Sequence, residues 1–146
     1  MRFRVLVAFL FPILAGCATD SNLTNTYNVG NLPESELSSV TCEETTWLDG
    51  RIRPAIVNVY SENGEEVIGT SFWGPSEYDE VTLQPGTYLF VANCSNGLVG
   101  AYPRAISEIE PSKKYIVSCN ATTKKGFLGI SMWDKVRLEI REIGAK

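Results

Sequence analysis

Short runs of alternating apolar and polar residues, each closed by a Pro, Gly or Asn turn, dominate this chain and restrict what it can fold into. Alternation with a period of two places every second side chain on one face of a sheet, whereas no run sustains the 3,4 spacing of an amphipathic helix. Thr87–Cys94 is the clearest such run. Ala55–Tyr60, Glu66–Phe72, Val81–Leu83, Ala105–Ile109, Tyr115–Cys119, Phe127–Trp133 and Val136–Ile143 are the others. Between them stand Glu62-Asn63-Gly64-Glu65, Gln84-Pro85-Gly86-Thr87, Ser95-Asn96-Gly97, Glu110-Pro111-Ser112-Lys113 and Lys124-Lys125-Gly126. Asn-Gly favours a hairpin whose two central residues both take positive φ, and Pro-Gly favours a turn with positive φ at the glycine. Trp73-Gly74-Pro75-Ser76 breaks its run, and Pro103 marks the start or edge of another. Seven or eight short strands at this spacing predict an all-β fold, a single sandwich.

The N-terminus follows a different rule. Arg2 and Arg4 precede a ten-residue uncharged run, Val5–Leu14. As a helix it would cover about half of the ~30 Å hydrocarbon core, so it is too short to span. A basic start, a short apolar run and small residues before a cut fit a removable export signal. Leu14-Ala15-Gly16-Cys17 then resembles the lipobox of bacterial lipoproteins. The resemblance implies cleavage between Gly16 and Cys17, a thioether-linked diacylglycerol on Cys17, and a further acyl chain such as palmitate on its freed amine. One acyl chain binds a membrane marginally and two or three bind it firmly. Ala18, rather than Asp, follows the cysteine. In Gram-negative lipoproteins that implies the outer membrane, here with the domain expected to face the periplasm. The expected division is a signal peptide at 1–16, a lipidated N-terminus and flexible tether at 17–31, and a β-sandwich domain at 32–146, with a short helical turn opening at Pro33–Leu37.

Removing 16 of the 146 residues leaves 130, enough for one domain and a tether. The chain has 13 Lys and Arg against 17 Asp and Glu; without Arg2 and Arg4 the balance is 11 against 17, or −6. An acidic chain without a basic stripe offers no footprint for nucleic acid. The chain contains no histidine, so the commonest metal ligand and general base are missing.

Once Cys17 is lipidated, Cys42, Cys94 and Cys119 remain, so at most one intramolecular bridge forms. An internal echo favours Cys94 with Cys119. Leu83-Gln84-Pro85-Gly86-Thr87-Tyr88 leads to Cys94, and Ile109-Glu110-Pro111-Ser112-Lys113-Lys114-Tyr115 leads to Cys119. Even separations put each Tyr and its Cys on one face. A geometric objection stands against the pairing. If the 105–109 strand lies between them in one sheet, the cysteines are about 9.6 Å apart, beyond the ~7 Å reach of a bridge. The bridge then requires the middle strand to leave that sheet, or Cys42 to be the partner.

Leu83–Phe90, read as L-x-P-G-x-Y-x-F, resembles the Pro-Gly turn and strand of PEGA-type and transthyretin-like β-sandwich modules. Glu36-Leu37 resembles the start of small envelope lipoproteins with such domains, and the similarity covers about residues 37–120. It implies an immunoglobulin- or transthyretin-like sandwich with a binding or scaffolding role and no catalytic residues to carry over. The second turn departs from the pattern because it lacks glycine.

Other chemistry is sparse. Trp47, Trp73 and Trp133 suit a small core, while Phe72, Trp73 and Tyr78 form a candidate partner-binding loop. Glu43-Glu44, Glu65-Glu66 and Glu77-Asp79-Glu80 read as solvated turn charges, without the spacing of a calcium loop. No G-x-S-x-G, C-x-x-C or Gly-rich phosphate loop is present. The expectation is therefore no enzyme, no cofactor and no metal. It is a lipid-anchored binding or assembly module presenting loops or an edge strand to another envelope protein. The alternative is an inhibitor of a hydrolase such as lysozyme, whose basic surface an acidic loop would suit. The sequence leaves the oligomeric state open.

Overall fold

Among the described residues, ten strands make two five-stranded sheets stacked as a sandwich. The computed structural model describes residues 23–45, 51–69, 77–126 and 131–144. The first sheet holds β1 (Thr24–Tyr27), β5 (Glu80–Leu83), β2 (Ser38–Cys42), β9 (Lys114–Lys125) and β10 (Ser131–Glu142), in that order. The second runs β4 (Glu66–Ile68), β3 (Arg53–Ser61), β6 (Gly86–Ser95), with β7 (Gly100–Ala101) and β8 (Arg104–Ile109) in line along the far side of β6. The break between β7 and β8 falls at Pro103, which has no N–H for a ladder. The seams between the sheets are covered, with β10 alongside β8 and β1 alongside β4.

Inward side chains follow the period of two. Tyr88, Phe90, Ala92 and Cys94 from β6 are buried, and meet Val40, Val81, Leu83, Tyr115, Val117 and Leu138 from the other sheet. Fully burying one such side chain contributes about 1.5–3 kcal/mol, so this layer carries the sandwich. The C-terminal run alternates as expected, with Val136, Leu138 and Ile140 packed toward the core. The two runs expected at 127–133 and 136–143 are one strand from Ser131, with Asp134 as the extra residue of a bulge between Trp133 and Lys135.

Strands β1 and β2, and the two-residue β7, escaped the sequence pattern. Strand β1 lies inside the stretch expected to be a flexible tether, where Thr24–Tyr27 pairs with β5. Polar side chains explain its order. Asn28 and Leu32 exchange two hydrogen bonds, and Gln84 Oε1 accepts from the N–H groups of Val29 and Gly30. Strand β2 points Ser38 into the core where alternation calls for an apolar residue. The Ser38 hydroxyl donates to the Glu110 carbonyl and accepts from the Lys113 N–H, so its burial is compensated. The 3₁₀ turn at Glu34–Glu36 lies where a short helical turn was expected.

The internal echo turns out to be a pair of corners where the chain changes sheet. Leu83 ends β5 in the first sheet and Gly86 begins β6 in the second. Ile109 ends β8 in the second sheet and Lys114 begins β9 in the first. The corners are neighbours, because Gly86 pairs with Ile109. Each is closed by its tyrosine. Tyr88 donates its hydroxyl to the Gln84 carbonyl at 2.8 Å, and Tyr115 accepts from the Glu110 N–H at 3.0 Å. The glycine expectation is corrected here. Gly86 does not take positive φ; it makes room, since a Cβ there would meet the Tyr88 ring at 3.3 Å. Ser112 takes the positive φ instead, at 61°, and its hydroxyl donates to Ser35 O. At the β3–β4 hairpin only Gly64 has positive φ, so Asn63 does not adopt the expected paired conformation. The Gly64 N–H bonds back to Ser61 O, as in a three-residue loop ending in a left-handed glycine.

Cys94 and Cys119 form a disulfide with Cα atoms 5.9 Å apart. The objection to this pairing is resolved by β9. The middle strand β8 stays beside β6, and β9 crosses to the facing sheet, so the bridge runs between sheets rather than over a strand. Replacing Cys94 and Cys119 together by alanine should lower stability by about 3 kcal/mol for a bridge closing 25 residues, measured by urea unfolding without reductant. Tyr88→Phe, which leaves the Gln84 carbonyl without its partner, should cost about 1 kcal/mol in the same assay.

Candidate binding surface

The solvent face of the second sheet carries an apolar row across three strands. Register places Tyr60 of β3 beside Leu89 of β6, and Leu89 beside Ile106 of β8. Ile106 is 74% exposed although it lies in the middle of a strand. The row floors a shallow groove of about 570 Å³. Glu62, from the β3–β4 turn, Thr87 of β6 and Arg104, from the start of β8, also line it. Arg104 makes no ion pair among the described residues. A concave apolar floor with a few placed polar groups is the usual form of a recognition site. The signal was present in the sequence as three hydrophobic residues, but their shared face is decided by register between strands distant in sequence.

The expected partner loop is placed differently. Tyr78 is 5% exposed and belongs to the core. Its backbone N–H and carbonyl both pair with Ile56, and its hydroxyl donates to Gly69 O at 3.1 Å. It is therefore not a surface anchor, since its polar tip is satisfied inside. Phe72 and Trp73, the other members of that loop, lie outside the described residues, as do Gly16, Cys17 and Trp47. Trp133 is half-buried on β10.

The carboxylates near Tyr78 serve the fold. Asp79 pairs with Arg53 at 2.9 Å and accepts from the Leu23 N–H, which holds the start of β1 in place. Glu77 accepts from the Asn93 side-chain amide at 2.6 Å. Among the described residues no three His, Cys, Asp or Glu side chains converge as a metal site would require.

Cys42 is the free thiol among the described residues, buried at the end of β2 with its Sγ 3.7 Å from the Tyr78 carbonyl. Burial pushes it up to about 12, Asp79 adding to the effect against the opposing hydrogen bond from Ile56. The thiolate is thus absent at neutral pH, and the group behaves as a small apolar residue. Tyr88, at the groove's inner margin, is likewise raised to about 12, by burial and then by Tyr27.

No family model, curated protein or solved structure matches this chain. The functional reading accordingly rests on the residues themselves.

Two measurements check the thiol. Cys42 should resist iodoacetamide at pH 8 in the native protein and react fully in urea. Its ordinary value of 9.0 applies to the unfolded chain, so above pH 9 the unfolded state loses a proton that the native state keeps. Stability should therefore be constant below pH 9 and fall between pH 9 and about 12 by at most ~1.4 kcal/mol per unit from this group. Cys42→Ala should reduce that slope in urea titrations between pH 8 and 10.5.

Proposed function

We propose that this chain is an exported, lipid-anchored envelope protein that binds another envelope protein through the groove on its second sheet. The observation carrying this reading is the Tyr60–Leu89–Ile106 row, an apolar strip on the solvent face of a folded sheet in which Ile106 is exposed and Tyr60 and Leu89 are half-buried. Water disfavours such a strip unless a partner covers it at least part of the time. Because β10 and β1 cover the seams, this face is a better docking site than the edge strands. Glu62 and Arg104, which both line the groove, suit a segment that flanks an apolar side chain with a base and an acid. The LAGC motif at 14–17 supports the anchor, and the Cys94–Cys119 bridge supports an oxidising compartment outside the cytosol.

A photo-reactive amino acid replacing Ile106 in cells should cross-link to one resident envelope protein. The same probe at Glu139, on the outer face of β10, should not. Adding Arg104→Glu should reduce the adduct several-fold. An adduct only at position 139, or one insensitive to Arg104→Glu, rules the groove out. A foreign hydrolase as the adduct would favour the inhibitor reading. Intact mass of membrane-extracted protein should show a chain beginning at acylated Cys17.

A further inference from the structure

The sandwich has one end from which the N-terminus leaves. Strand β1 begins there at Thr24, level with Glu80 of β5 and hence with Thr41 of β2 and Ile116 of β9. Strand β9 continues past the last β2 partner, Val117, for eight residues to Lys125, still paired with β10. That two-stranded ribbon therefore overhangs the first sheet by about 26 Å. The 96–99 turn belongs to the same end, because Arg53 pairs with Ser95 and the disulfide sets Cys94 beside Cys119.

Two properties of this end are independent of each other. First, it gathers exposed apolar side chains: Leu98 is 94% exposed, Val99 and Met132 are each 54% exposed, and Leu23 lies nearby. The 96–99 turn that presents Leu98 and Val99 is closed by Asn96 Oδ1, which accepts from their N–H groups, with Gly97 at a φ of 87°. Second, the described part of the ribbon beyond Val117 carries Lys124, Lys125, Lys135 and Arg137 against two acids, Glu139 and Asp134, the latter paired with Lys124. The ribbon is thus locally basic in a chain whose overall balance is acidic. Basic groups beside apolar ones match a surface of anionic phosphates over hydrocarbon.

Chain length supplies the third element, which rests on the anchor proposed above. Cys17 precedes Leu23 by six residues, a reach of at most about 22 Å. The overhang is longer than that reach. A bilayer holding the lipid on Cys17 then meets the ribbon and the 96–99 turn before the connection is fully extended.

We propose that this end of the sandwich rests on the headgroup–acyl boundary of the bilayer that holds the lipid, with Leu98, Val99 and Met132 entering it and Lys125 and Lys135 facing lipid phosphates. The groove on the second sheet is then presented sideways to the membrane normal. The Asn63–Gly64 turn, at the opposite end of β3, faces away.

Lipidated mature protein, purified from membranes, is reconstituted in phosphatidylethanolamine–phosphatidylglycerol vesicles. A nitroxide is attached at Leu98→Cys or at Asn63→Cys; buried Cys42 takes no label in the native state. Power saturation compares collisions with oxygen and with a water-soluble nickel chelate, and intact mass is read on the same sample. The label at 98 should favour oxygen over nickel several-fold, and the label at 63 should show the reverse. Acylated protein with both labels in water overturns the docked end while leaving the anchor standing. Acylated protein with the label at 63 immersed shows the opposite orientation and overturns it too. A mass without acyl chains removes the anchor and this inference together.

Discussion

Strand β9 leaves the sheet of the strand before it and joins the facing one, and the Cys94–Cys119 bridge ties the two sheets at that crossing. Face-to-face sheets normally stand about 10 Å apart. Here the Cα atoms of the bridged residues are 5.9 Å apart, so the sheets close together at this end. A domain of this size has a modest core, and a covalent tie between its layers limits how far the unfolded chain can spread. The position of the 96–99 turn relative to the β9–β10 ribbon also depends on the same crossing.

The other end is organised by two corners with a common solution. At each, a proline turn carries the chain from one sheet to the other, and a tyrosine early in the next strand bonds back to the turn's backbone. The chemistry differs in detail. The first corner sets Gly86 close under the Tyr88 ring, whereas the second places Ser112 at positive φ and secures it by a hydrogen bond to Ser35. Ser38, buried on β2, bonds to both ends of the second corner. Sequence similarity between the corners therefore reflects a shared mechanical task. Each tyrosine satisfies backbone groups that a sheet change would otherwise leave unpaired.

The surface divides by the same logic. Outward positions of β3, β6 and β8 bring Tyr60, Leu89 and Ile106 into one row, and Glu62 and Arg104 line the same groove. Two carboxylates expected to be solvated turn charges are engaged in the fold, Asp79 with Arg53 and Glu77 with Asn93. Tyr78 shows why a loop reading misjudged its own last residue. It follows Gly74-Pro75 in sequence, but it pairs with Ile56 of β3, and side chains directly opposite each other share a face, so its ring turns inward beside buried Ile56.

Alternation and turn chemistry were local, and they sufficed for the all-β class, for strands β3, β6 and β8, and for the inward face of β10. The paired cysteines were also legible, because Tyr88 to Cys94 and Tyr115 to Cys119 share parity. Strands β1 and β2 were not, since Asn28, Gln84 and Ser38 order them through hydrogen bonds to distant backbone, which no hydrophobic pattern records. The assignment of strands to sheets was equally hidden, and with it the groove and the clustering of Leu98, Val99 and Met132 at one end. Side-chain parity is written residue by residue along the chain. Which strand lies beside which is settled only when the whole core closes and non-local pairing becomes favourable.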